Sequence, residues 1–89
     1  MSLQIIQKQD RYKVIGDFGG ADAASSYAHF IQALNLKELL KIDIDEVTQI
    51  DRTGVDVLTR LHEESLSLNS KLHIVGRGSR DIYEEIRKI

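Results

Sequence analysis

From residue 39 the chain reads Leu39-Leu40-Lys41-Ile42-Asp43-Ile44-Asp45-Glu46-Val47-Thr48-Gln49-Ile50-Asp51-Arg52-Thr53-Gly54. Leu40, Ile42 and Ile44 alternate with charged residues, the period of a strand with one buried face. The residues after Ile44 read as a polar turn pinned by Val47 and Ile50. Asp51 then stands where a helix N-cap belongs, ahead of Val55, Leu58 and Leu61 at helical spacing. Gly54 falls one turn inside that helix, where a missing side chain lets the helix press close to another backbone. A strand, a short turn and an exposed helix start form a place where a negative group is held or recognised, because the first N–H groups are free and the helix dipole is positive there.

On either side the pattern repeats in kind. Leu3 to Gln7 and Tyr12 to Gly16 are short β-type runs joined through Lys8-Gln9-Asp10-Arg11, which reads as a hairpin. Asp17 to Asp22, with Gly19 and Gly20, is expected to be a loop, and Asp22 the N-cap of a helix over about Ala23 to Asn35. That helix would bury Ala24, Tyr27, Ile31 and Leu34, with Phe30 at the margin. The second helix, about Arg52 to Leu68, presents Val57, Leu58, Leu61, Ser65 and Leu68. Asn69-Ser70 turns into a strand over Leu72 to Val75. Gly76-Arg77-Gly78-Ser79 is another turn, and Ser79 or Arg80 opens a last helix carrying Ile82, Ile86 and Ile89.

The order ββαβαβα predicts an α/β single domain over residues 1–89, with a mixed four-stranded sheet and three helices. The two strand–helix–strand crossovers imply parallel pairing. Because the strands alternate, the helices should cover mainly one face of the sheet. Val14, Ile42, Ile44, Leu58, Leu61, Ile74 and Ile86 are the expected core.

Composition narrows the function classes. Eighty-nine residues make one small domain, 42% hydrophobic and 29% charged, as in ordinary soluble proteins. A net charge of −2 lacks the basic surplus of a nucleic-acid binder. No apolar run approaches the roughly 20 residues of a membrane span, and Met1-Ser2-Leu3-Gln4 does not begin a signal peptide. With no cysteine, disulfides, thiolate catalysis and Cys-based zinc sites are excluded, which fits a cytoplasmic address.

The order of strand, apolar-x-x-Ile-Asp turn, small hydroxyl residue, Gly and Val/Leu-rich helix resembles the core of the STAS domain, named for sulfate transporters and anti-sigma factor antagonists. Val14-Ile15-Gly16-Asp17-Phe18 is similar to that family's second strand and its Gly-acidic-apolar turn. Lys71-Leu72-His73-Ile74-Val75-Gly76 resembles its next core strand. The resemblance runs over about residues 3–88 and implies a STAS-like fold. Family members continue with a further strand and helix beyond the point matching Ile89. Lacking these, one sheet edge would be exposed, or paired with a partner or a second copy.

In phosphoregulated STAS proteins a Ser or Thr directly follows the Asp of this turn and accepts phosphate from a partner kinase. Arg52 occupies that position here, and Thr53 comes one place later. Asp51 is then expected to cap the helix and Thr53 to fill its first turn, with Thr53 a shifted phosphorylation candidate that is not efficiently modified. The resemblance also implies a partner-binding surface over Asp17, Gly19, Asp51, Arg52, Thr53 and Gly54. Family members usually carry Asp where Gly19 stands, so contact with the usual kinase-type partner is put in doubt.

Other constellations are weaker. Gly76-Arg77-Gly78-Ser79-Arg80-Asp81 lacks the glycines and lysine of a nucleotide loop, although its two arginines could hold an anion weakly. His29, His62 and His73 fall on different elements, and His62 does not open a His-Glu-x-x-His motif. Asp43, Asp45 and Glu46 read as a solvated strand end rather than a magnesium site. No nucleophile stands beside a base, so no enzyme activity and no cofactor or metal is expected.

The reading that follows is a non-enzymatic bacterial interaction module like the anti-sigma factor antagonists, acting in signalling and transcription regulation. Its partner would be an anti-sigma factor or serine-kinase-like protein, met by the Asp51–Gly54 loop and a helix face bearing Arg60, Glu63, Glu64 and Ser67. The alternative keeps the fold: a STAS accessory subunit of a lipid-transporting ABC complex, bound to the ATPase. A small nucleotide-binding domain using the Gly76–Gly78 turn is the third possibility. None of the three needs nucleic acid or membrane insertion.

Overall fold

The structure, a computed structural model, describes residues 3–9, 11–36 and 39–87. Seven elements follow one another: β1 (Gln4–Gln7), β2 (Tyr12–Phe18), α1 (Gly20–Leu36), β3 (Leu39–Ile50), α2 (Arg52–Ser67), β4 (Lys71–Val75) and α3 (Ser79–Arg87). They form one mixed four-stranded sheet, as the sequence predicts, with the strands in the order β1-β2-β3-β4. β1 runs antiparallel to β2, whereas β3 lies parallel to both β2 and β4. Asp10, expected in the hairpin, and Ile89, expected on the last helix, lie outside the described residues.

Alternation sets the faces. Tyr12, Val14, Leu40, Ile42, Ile44, Leu72 and Ile74 are buried on one side. Lys13, Asp43 and His73 alternate with them onto the other. The buried set joins Phe30 and Leu34 of α1, Leu58 and Leu61 of α2 and Ile82 of α3 in a single core cluster. The helices therefore cover one face of the sheet. Six of the seven expected core residues are buried, and Ile86 packs partly buried against the same cluster. No helix among the described residues is long and apolar enough to cross a membrane.

Several expectations need correction, the Asp17–Asp22 loop among them, since Asp17 and Phe18 belong to β2 and α1 begins at Gly20. Asp45 to Ile50 is strand, not turn: β3 runs twelve residues and meets α2 after Asp51 alone. Its register against β2 slips twice, between Lys13 and Ile15 and between Gly16 and Asp17. Each slip gives β3 one extra residue and turns its following side chains to the other face. Two slips explain how Val47 and Ile50, each three residues beyond the last core-facing position, both pack against the core.

Asp22 is not the cap of α1. The helix begins at Gly20, with Gly19 C=O accepting from Ala23 N–H (3.2 Å), so Asp22 sits inside the first turn. The buried face of α1 is Ala23, Ser26, Phe30, Ala33 and Leu34, one residue off the expected stripe. Ala24 is exposed, while Tyr27 and Ile31 are half-buried. Phe30, the bulkiest wholly apolar side chain on the helix, is fully buried, whereas the larger Tyr27 carries a hydroxyl and stays half-buried. In α2, Thr59 is buried and Leu68, at the C-cap, is 40% exposed.

Candidate functional site

β3 delivers Asp51 in extended geometry (φ −106°, ψ −173°) at the start of α2. One carboxylate oxygen, Oδ1, accepts the Gly54 N–H at 3.0 Å, the N-cap contact expected from the sequence. The other, Oδ2, accepts the Gly20 N–H at 3.0 Å, at the start of α1. A single side chain thus caps both crossover helices. The negative group foreseen at this helix start is supplied from within the fold.

These bonds hold the Asp51 carboxyl below its ordinary range, chiefly through the Gly54 N–H; desolvation opposes it, and the Gly20 and Thr53 amides each add a smaller lowering. A group whose folded pKa is depressed contributes stability above its unfolded pKa and loses it as pH falls through the folded value. Asp51→Asn retains the shape but turns an amide N–H toward one of the two backbone donors. The variant should be less stable than the parent at pH 7, and the difference should shrink in acid, below the ordinary carboxylate range. Urea titrations at both pH values check this. Equal midpoints at pH 7 would show that the double cap contributes nothing.

Two glycines make the junction possible. A Cβ on Gly54 would stand 2.1 Å from the Phe18 carbonyl oxygen, so the expected close approach is real, and its partner is the end of β2. A Cβ on Gly19 would fall 2.7 Å from Cγ and Oδ2 of Asp51. Any side chain at Gly19 would push that carboxylate from its place. Gly20, at φ +58°, makes the left-handed turn into α1.

Around this junction lie the other residues singled out from the sequence. Arg52 opens α2 with its side chain 84% exposed, and its Nε meets Asp56 Oδ1 at 3.3 Å, one turn on. Thr53 is half-buried and lines a shallow groove between α1 and α2, about 270 Å³, with Ala24, Tyr27, Asp56, Val57 and Arg60. Gly19, Asp51, Arg52 and Thr53 therefore lie together at one end of the fold, with Gly54 buried beneath them. Asp17 does not join them. Phe18 faces the helices, so Asp17, the preceding strand residue, is directed to the opposite face of the sheet.

Several of the remaining candidates take structural roles. Arg77, foreseen as an anion ligand, donates through its backbone N–H (2.9 Å) and Nε (3.2 Å) to Asp45 Oδ1. Those two bonds, the backbone one first, hold the Asp45 carboxyl below its ordinary range. Arg80 is exposed. Asp43 accepts the Asp45 N–H (2.9 Å) beside the first register slip and pairs with Arg11 (3.3 Å), while Glu46 pairs with Lys13. The three carboxylates thus turn to three different cations. His29, His62 and His73 lie on α1, α2 and β4, and the His29 ring meets Tyr12 edge-on at 5.5 Å.

Sequence reasoning missed the Gly20–Asp51 and Arg77–Asp45 contacts, which join residues about thirty positions apart. It also missed the Tyr83 hydroxyl, which accepts the Ile74 N–H (2.8 Å) at the border of the sheet. A weak signal existed for the first: Gly19-Gly20 directly follows a strand parallel to the one that ends just before Asp51. Neither any family model nor any curated protein matches this chain.

Proposed function

We propose that the chain is a non-enzymatic, STAS-type interaction module that docks a protein partner through the surface around Asp51–Gly54, without a phospho-switch. The observation that carries this reading is the double cap. Asp51 fixes the starts of two helices against each other, and Gly54 locks α2 onto β2, so the exposed residues between them are held in one rigid arrangement. A preorganised surface of this kind limits the entropy lost on docking. Asp51, Asp43 and Asp45 are engaged in the cap and in ion pairs. A cytoplasmic bacterial signalling role follows from the family resemblance.

Arg52 is the residue on which specificity is read. A cation at a helix N-terminus opposes the dipole by about 0.3–1 kcal/mol. Asp56 offsets part of this, but an exposed pair of this kind contributes little. An acidic patch on the partner would meet the guanidinium with little else in the way. Arg52→Glu should leave the melting temperature nearly unchanged, since the better dipole match is set against a new repulsion from Asp56. Binding to the partner, isolated by capture on the parent protein and titrated by calorimetry, should weaken at least about tenfold, or 1.4 kcal/mol. Equal affinity would move the docking surface elsewhere.

Arg52 at the position of the family's phosphoacceptor also suits an accessory subunit that is never switched. The identity of the captured partner separates the two readings: a serine-kinase-like anti-sigma factor for the first, a transporter ATPase for the second.

A further inference from the structure

The sheet has two borders, β1 and β4, and they are finished differently. On β4 the Ile74 N–H is taken by the Tyr83 hydroxyl of α3 (2.8 Å), and Lys71 adds a charge to the strand. β1 has no such cover among the described residues. Gln4–Gln7 holds no charge and no proline, the devices that usually discourage pairing at an edge.

The hairpin shows which groups are free. Lys8 N–H donates to Arg11 C=O (2.7 Å), so that pair is a bonded one, and bonded pairs alternate along an antiparallel ladder. Counting back from it, Gln4 and Ile6 turn their N–H and C=O toward β2, and Ile5 and Gln7 turn theirs outward. Beside this edge, on the helix side, a hollow of about 240 Å³ is lined by Leu3, Ile5, Asp22, Ser25 and Ser26. On the open side Ile6 is 40% exposed.

We propose that β1 pairs antiparallel with β1 of a second copy, about a two-fold axis through Ile5. Such an axis must stand perpendicular to the sheet, so residues facing each other share a face. The register centred on Ile5 sets Ile5 against Ile5 and Leu3 against Gln7, and it uses both outward-turned residues of the strand. It brings the two Ile5 side chains together between the two hollows, with no like charges opposed within β1. The assembly also closes on itself: the joined sheet has eight strands, and both of its borders are β4, each latched by Tyr83. A strand of four residues buries less than the roughly 800 Å² per partner of a standard interface, so the dimer belongs to the weak, concentration-dependent class.

The chain contains no cysteine, so a single introduced one reports only contacts between copies. Facing residues in a bonded antiparallel pair have Cα atoms about 5.5 Å apart, within disulfide range. Under mild oxidation Ile5→Cys should form a linked dimer at least about tenfold faster than Ile6→Cys, which is off the axis, or His73→Cys on the β4 border. Sedimentation of the parent protein should shift from monomer toward dimer between about 10 μM and 1 mM, as suits an interface of this size. Equal linking rates at the three positions, or a parent that stays monomeric over that range, would overturn the proposal.

Discussion

Gly54→Ala should be among the most damaging single-methyl additions this domain can receive. The new Cβ would stand 2.1 Å from the Phe18 carbonyl oxygen, 2.8 Å from Ile50 Cγ1 and 2.9 Å from Phe18 Cδ2. The nearest of these is main chain and has no rotamer to move to, so α2 itself must lift from β2. Overpacking costs typically about 1–3 kcal/mol, more where backbone must shift, and the expected loss is about 3 kcal/mol or above. At about 0.05–0.15 kcal/mol per residue a domain of 89 residues has about 4–13 kcal/mol in all, so this loss is a large share of it. A urea midpoint well below the parent's is the expected result. A midpoint equal to the parent's would mean that α2 does not approach Phe18 so closely.

Leu58→Ala should do comparable harm by the opposite route. Leu58 is fully buried on α2, in the core cluster with Ile42 of β3 and Phe30 of α1. Truncating it removes packed methyl groups and leaves a cavity, at about 2–5 kcal/mol. Leu66→Ala supplies the comparison, since the same substitution on the same helix touches a side chain that is 69% exposed. It should change stability by about 0.5 kcal/mol or less. If the two variants unfold at the same denaturant concentration, the buried face of α2 is not the one described.

What the sequence made legible, and what it hid, follows from the range of the interactions. Local signals served well. The alternation of Leu40, Ile42 and Ile44 marked the core-facing side of β3, and Asp51 with the spacing of Val57, Leu58 and Leu61 marked the start and face of α2. The far half of β3 was hidden because Ile44, Val47 and Ile50 stand three apart. A three-residue step breaks the period of two unless the partner strand permits a slip, and slips are properties of the pair. The face of α1 was ambiguous because its first turns are rich in Ala and Ser, so neighbouring stripes are nearly as apolar as each other. At the site, the position of Gly54 already indicated a close approach. That Asp51 also serves α1 depends on two parallel strands ending side by side, which no local window contains.

The shared carboxylate has a dynamic consequence. Helix ends usually fray independently, and their amides exchange with solvent through separate small openings. Here, swinging Asp51 away frees the Gly20 and Gly54 amides in one event. Their hydrogen-exchange rates should therefore rise and fall together across temperature and denaturant, although they lie on different helices. A partner that clamps only the first turn of α2 would then slow exchange at the first turn of α1 as well.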